Sequence, residues 1–72
     1  MDSKEFLKLG HKIKFERSQR KISQLELSLK TGLTTRTISR IECGTIDPKY
    51  STLKKIADAF EIELVDLLDF KL

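Results

Sequence analysis

The segment from Thr35 to Cys43 is rich in side chains that donate hydrogen bonds. If it forms a helix with 100° between successive residues, Ile38 and Ile41 fall on one side and no acidic residue falls on the other. The outward side then consists of Thr35, Arg36, Ser39, Arg40 and Cys43. A guanidinium can donate two parallel hydrogen bonds to a guanine, and hydroxyl groups can bond bases or phosphates. The pattern favours a surface for double-stranded DNA over the alternative, an ordinary polar face in water.

The boundaries of this segment suit a single recognition helix. Thr34 can cap its N terminus and Gly44 can end it. A helix of about eight residues is about 12 Å long, and the major groove of B-form DNA is about 12 Å wide. The dimensions therefore favour a helix that enters the groove.

A second helix precedes this one at a distance that allows only a tight turn. Ser23 opens the S-x-x-E pattern of a capping box, and Gly32 can end the helix that follows. Only Thr31-Gly32-Leu33 separates the two helices, so they must cross steeply and touch near the turn, where Ser28 is small enough for close approach. We predict a helix-turn-helix over residues 24–43.

Apolar residues recur at helical spacing in the rest of the chain, and no stretch alternates apolar with polar residues. We therefore expect an all-α fold of five helices, with the helix-turn-helix formed by helices 2 and 3. A compact unit usually needs at least about fifty residues, so residues 1–72 are expected to form one domain with its core in 9–68. The other three helices are expected at residues 4–20, 51–60 and 63–68.

Two charged residues occupy positions where the pattern calls for apolar side chains. Arg17 falls four residues after Ile13 on the apolar stripe of the first helix, and Glu42 falls four residues after Ile38 on that of the third. We predict that Arg17 and Glu42 form a partly buried ion pair that fixes how the recognition helix docks.

Composition excludes several classes of protein. A single cysteine, Cys43, and a single histidine, His11, cannot form an internal disulfide or a zinc site of three or four ligands. No paired carboxylates, Ser-His-Asp set or phosphate-binding glycine loop is present, so we expect no enzymatic activity and no cofactor. No apolar run approaches the roughly eighteen residues that cross a bilayer, and the first residues lack a secretory segment. We expect a soluble cytoplasmic protein with no membrane partner.

The net charge of +3 conceals an uneven distribution. Residues 1–56 contain thirteen Lys and Arg against six acids, and residues 57–72 contain five acids against Lys71 alone. A basic body of this kind suits a polyanion, and a solvated lysine-rich surface is the alternative.

With these residues, the sequence resembles the phage repressor and Cro-type (XRE-like) helix-turn-helix family of prokaryotic DNA-binding regulators. The resemblance spans residues 9–68. It rests on Leu9-Gly10, Ile13, Arg17, Ser23-Gln24, Leu27, Gly32, Ile38-Ser39, Ile41-Glu42, Gly44, Pro48, Leu53, Ala57 and Leu67. It implies a compact repressor-like domain.

The resemblance also implies roles for individual residues. The residues that would face base edges are Thr35, Arg36, Ser39 and Arg40. Those that would contact phosphates are Ser23, Gln24, Cys43 and Lys49, and Gln24 would also brace the recognition helix. Arg17 and Glu42 match the family's structural ion pair. The family usually has Asn before the glycine that corresponds to Gly44, and Cys43 stands there in this sequence. The backbone N–H of Cys43 is therefore the group expected to contact the phosphate.

The function implied is a transcriptional regulator that binds a palindromic operator as a homodimer. A phage-type repressor and a restriction-modification controller fit equally, and either would act by blocking or touching RNA polymerase. A different class is a protein-interaction module, such as the antitoxin partner of a toxin, supported by apolar candidates at Leu7, Phe15 and Phe70. Leu7, His11 and Phe15, together with Val65, Phe70 and Leu72, are candidates for a surface that binds a second subunit or the C-terminal tail.

Overall fold

Five α-helices form the part of the chain that the computed structural model describes, residues 2–69. Their bounds are α1 Ser3–Gln19, α2 Gln24–Thr31, α3 Thr35–Glu42, α4 Tyr50–Phe60 and α5 Leu64–Leu67. The predicted all-α fold is confirmed, and the described residues include no strand. Phe70 and Leu72, named above as apolar candidates, lie outside the described residues.

Side-chain caps begin the first three helices. Asp2 caps α1, and the predicted capping box of α2 is present, with the Glu26 backbone N–H donating to Ser23 Oγ at 3.0 Å. Thr34 Oγ1 accepts from the Thr37 N–H at 3.1 Å and begins α3. Each such cap contributes about 1 kcal/mol. At the start of α5, Glu63 makes no side-chain cap, and this helix of four residues is the shortest of the five.

Gly32 makes the turn between α2 and α3. Its φ of +78° lies in the left-handed region, and a Cβ placed there would meet no atom within 4 Å. The backbone conformation, and not lack of space, therefore calls for glycine. Ser28 Oγ donates to the carbonyl of Leu33 at 2.5 Å and ties the turn to α2.

One buried cluster joins all five helices. Its members are Leu9, Ile13, Leu27, Ile38, Ile41, Leu53, Ile56, Ala57, Phe60 and Leu67. The described part measures 28 × 22 × 21 Å along its principal axes. Within residues 2–69, no helix has the length and apolar character needed to cross a membrane.

Gly10 brings α1 into backbone contact with α3. A Cβ at this position would lie 2.4 Å from the Glu42 carbonyl oxygen and 2.5 Å from that of Ile41. No side chain fits in this space, so α3 rests directly on α1. The last two residues of α3 are thus supported by the backbone of α1.

Candidate nucleic-acid interface

The outward face of α3 holds the side chains expected to read bases. Thr35, Arg36 and Arg40 are exposed, and Ser39 is half-buried. The opposite face buries Ile38 and Ile41 in the core. The amphipathic pattern therefore anchors α3 by its aliphatic side and leaves about 12 Å of polar helix in contact with solvent.

The two arginines of this face are free to bind a ligand. Among residues 2–69, the ion pairs are Lys12–Glu16, Arg20–Glu16, Arg17–Glu42 and Lys54–Asp58. Neither Arg36 nor Arg40 belongs to any of them. Because the two lie one helical turn apart on one face, their guanidinium groups can approach neighbouring positions of a double helix.

Behind this face, the structure joins Arg17 to Glu42 by two hydrogen bonds. Arg17 Nε donates to Glu42 Oε2 at 2.8 Å, and Nη2 donates to Oε1 at 3.2 Å. The Arg17 side chain is 15% exposed and that of Glu42 4%. The hydrogen bond to Glu42 raises the pKa of the Arg17 guanidinium, so this group stays charged. A third bond, from Nη1 to the Ile22 carbonyl at 3.0 Å, ties the pair to the segment before α2.

Gln24 completes this buried cluster. Its Nε2 donates to Glu42 Oε1 at 3.0 Å, so α2 braces the end of α3 through a side chain. Gln24 is half-buried at the first position of α2, beside the exposed Ser23. The Ser23 oxygen accepts the capping bond, and its hydroxyl proton remains available to a phosphate.

The expected role of the Cys43 backbone needs correction. Its N–H donates to the Ser39 carbonyl at 3.0 Å, because Cys43 caps the C terminus of α3, where N–H groups are already bonded within the helix. Cys43 is exposed at the end of α3, and its thiol forms no disulfide.

Lys49 and its neighbour begin α4 beyond the loop. Lys49 is exposed and provides the N-cap position without a side-chain hydrogen bond. Tyr50, which follows, is 71% exposed and presents a phenol that can donate to a phosphate. Sequence reasoning assigned Tyr50 no role, because an aromatic at a helix start has no periodicity to reveal it.

Several apolar side chains remain exposed on other faces. Val65 on α5 is 71% exposed and Phe15 on α1 is 55% exposed. Leu25 and Leu29, one turn apart on α2, are 60% and 77% exposed, and sequence reasoning missed them. Leu7 and His11 line a groove with Gln24 and Cys43, so they belong to the α3 side of the molecule.

A glycine turn between two packed helices, the second with an acid-free basic face, is typical of the helix-turn-helix class of DNA-binding proteins. The comparison of sequences agrees. The chain belongs to the helix-turn-helix domain family, whose profile matches residues 10–71.

Relatives and solved structures extend this finding. The chain is 41% identical over 57 residues to an uncharacterized HTH-type transcriptional regulator of Sinorhizobium fredii, covering 79% of this chain and 29% of that protein. It is also 31% identical over 63 residues to an uncharacterized HTH-type transcriptional regulator of Methanocaldococcus jannaschii. That match covers 88% of this chain and 96% of that protein. The crystal structure of the restriction-modification controller protein C.AhdI from Aeromonas hydrophila matches with a TM-score of 0.84 and 26% identity, over 86% of this chain and 94% of that one.

Proposed function

We propose that this protein is a sequence-specific transcriptional regulator that binds double-stranded DNA through α3. The observation that supports this most is the exposed, acid-free face of α3, on which neither arginine is paired within the described residues. The arginines of this face are unpaired, although buried hydrogen bonds hold α3 in place. Such a face suits a partner of opposite charge.

Within this proposal, the two kinds of contact fall on different residues. The candidates for base edges are Thr35, Arg36, Ser39 and Arg40. Ser23, Gln24 and Lys49 are candidates for the backbone phosphates, and the Cys43 thiol lies at the margin of the same face. Base contacts would specify the site and phosphate contacts would position the domain.

We further propose a homodimer on a palindromic operator. One recognition helix covers a few base pairs, and a two-fold dimer places two helices about one DNA turn, about 34 Å, apart. A domain 28 Å long in its largest dimension allows two touching copies to meet that spacing. The exposed Val65 of α5 offers an apolar position for the contact between copies.

Regulation would follow from occupancy of the operator and would need no catalysis. A bound dimer can block RNA polymerase or touch it. Likeness to a restriction-modification controller at a TM-score of 0.84 supports a controller role, and a phage-type repressor fits the same arrangement.

A second candidate is an antitoxin or other interaction module for which DNA binding is secondary. The exposed Leu25 and Leu29 on α2 favour it, because two large apolar side chains one turn apart are typical of protein contacts. Purification from the native host with a stoichiometric partner protein would support this candidate.

Selection of bound sites from a random DNA library tests the leading proposal. The expected result is an inverted repeat whose half-sites lie about one helical turn apart. Recovery of no enriched sequence would contradict sequence-specific recognition, and recovery of single, unpaired half-sites would contradict the dimer.

A further inference from the structure

Two hydroxyl groups of α2 hold the backbone of Leu33, the residue before the N-cap of α3. Ser28 Oγ donates to the Leu33 carbonyl at 2.5 Å, and the Leu33 N–H donates to Thr31 Oγ1 at 3.2 Å. Thr31 Oγ1 in turn donates to the Leu27 carbonyl at 2.8 Å, within α2. Both backbone polar groups of Leu33 are therefore bonded to side chains of α2. We refer to the Ser28 and Thr31 hydroxyls as the Leu33 clamp.

The Leu33 clamp lies where water competes little. Thr31 is 8% exposed, and Ser28 and Leu33 are half-buried. Among the hydrogen bonds of residues 2–69, the backbone groups of Leu33 have no partner besides these two hydroxyls. Loss of one hydroxyl would leave a shielded backbone group unsatisfied, and this loss costs more than that of a bond in open water. The start of α3 is therefore held firmly against α2.

The two ends of α3 are held by different contacts. The C-terminal end is fixed by the Glu42 carboxylate and by the backbone of α1. The N-terminal end is tied to α2 by the Leu33 clamp. Arg36 follows Leu33 by three residues. Because recognition helices turn their N-terminal residues toward base edges, the clamp acts on the end of α3 that reads DNA.

We propose that Ser28 and Thr31 are positioning residues for base recognition: by holding Leu33, their hydroxyls set where the Arg36 guanidinium meets a base edge. The inference rests on the proposed function, because it concerns how the α3 face reads DNA. A bidentate contact requires its donors to be placed to within about 0.5 Å, whereas a phosphate contact tolerates a shift of the helix. Loss of the clamp should therefore weaken specific binding and spare non-specific binding.

Ser28→Ala tests the proposal on the selected operator and on random DNA. The change removes the donor to Leu33 and keeps the residue small, and alanine favours a helix, so the fold should remain intact. Affinity for the operator should fall by about fivefold, the scale of one neutral hydrogen bond, and affinity for random DNA should not change. Thr31→Val should act in the same direction. Thr31→Ser keeps the hydroxyl and should bind the operator as the wild-type protein does.

Ile56→Val separates positioning from stability. Ile56 is fully buried on α4, and the variant should melt at a lower temperature because a methyl group is lost from the core. Measured well below its melting temperature, it should keep the wild-type ratio of operator to random-DNA affinity. If Ile56→Val and Ser28→Ala lowered this ratio alike, Ser28 would be only a structural residue and the proposal would be wrong.

A double-mutant cycle identifies the group through which the clamp acts. In the Arg36→Ala background, Ser28→Ala should cost clearly less operator affinity than in the wild-type background, because the contact that it misplaces is already absent. Full additivity of the two changes would contradict the proposal, since the clamp would then act independently of Arg36.

Residual dipolar couplings of the free protein give a readout that needs no DNA. The couplings of the first turn of α3 should differ between Ser28→Ala and wild type, and those of α1 and α4 should agree. Unchanged couplings and an unchanged affinity ratio, with operator selection by the wild-type protein intact, would overturn the clamp and leave the proposed function standing. Failure of the wild-type protein to select any site would overturn the proposed function and, with it, the role of the clamp in recognition.

Discussion

Arg17 and Glu42, twenty-five positions apart in the chain, are joined by hydrogen bonds of 2.8 and 3.2 Å beneath the exposed face of α3. The pair links α1 to the last residue of α3, and Gln24 adds the start of α2 to the same carboxylate. Three elements that meet at one buried charge cannot shift independently. The orientation of the polar face is therefore set by this cluster.

Replacing Glu42 by Gln should lower the melting temperature markedly. The change leaves the Arg17 guanidinium mostly buried without a counter-charge, a loss of about 3–5 kcal/mol in comparable sites. Thermal unfolding by circular dichroism measures the effect. Asp66→Asn, at an exposed acid on α5, is the control and should melt near wild type. An unchanged melting temperature for Glu42→Gln would show that the pair does not stabilise the fold.

Gly10→Ala should destabilise the protein, although alanine favours a helix over glycine by about 1 kcal/mol. The added Cβ would lie 2.4 Å from the Glu42 carbonyl oxygen, and the neighbouring atoms are backbone that cannot rotate away. Overpacking of this kind costs about 1–3 kcal/mol. Urea denaturation gives the sign of the change in unfolding free energy. Ser18→Ala, on the exposed side of α1, is the control. A gain in stability would mean that α1 and α3 are not in backbone contact.

Glu16→Gln should reduce the sensitivity of the fold to acid. The hydrogen bond from Lys12, reinforced by Arg20, holds the pKa of the Glu16 carboxyl below its usual 4.5. A lowered pKa contributes stability that is present above the unfolded value and is lost as the pH falls below about 4.5. The difference in unfolding free energy between wild type and variant should therefore shrink in acid. A difference that stays constant across this pH range would show that the ion pairs of Glu16 with Lys12 and Arg20 do not stabilise the folded protein.

Lys49→Ala should weaken binding to specific and random DNA alike. Its side chain is exposed at the start of α4, outside the α3 face, and is proposed to contact a phosphate. The loss should come with a salt slope shallower by about one, as for a single phosphate contact. Lys30→Ala, exposed at the end of α2, serves for comparison. A loss confined to the selected site would move Lys49 to the base-reading group.

The sequence predicted those features that depend on local pattern. The caps at Ser23 and Thr34, the glycine turn and the aliphatic stripe of α3 each have a signature within a few residues, and all four are present. The partners Arg17 and Glu42 were predictable as well, because charges on apolar stripes must find each other when the stripes meet.

Features that arise from how helices dock were not predictable in this way. Arg20, at the C-cap of α1, donates a hydrogen bond to the Phe60 carbonyl at 3.0 Å. Its guanidinium carbon lies 4.9 Å from the centre of the Phe60 ring. Arg20 thus caps the end of α4, although the two residues are forty positions apart in the sequence. The groove lined by Leu7 and Gln24 and the bond from Gln24 to Glu42 likewise exist only once three helices pack together. No spacing within a single helix carries that information.

Binding of Arg36→Ala to the selected operator and to random DNA tests the central claim, that the exposed face of α3 reads bases. Loss of a bidentate contact should weaken operator binding by about 1–3 kcal/mol, relax preference at one base pair and leave random DNA nearly unaffected. Arg36→Lys keeps the charge without the planar fork and should lose most of the same preference. Equal losses on operator and random DNA would contradict the claim and reduce Arg36 to a phosphate contact.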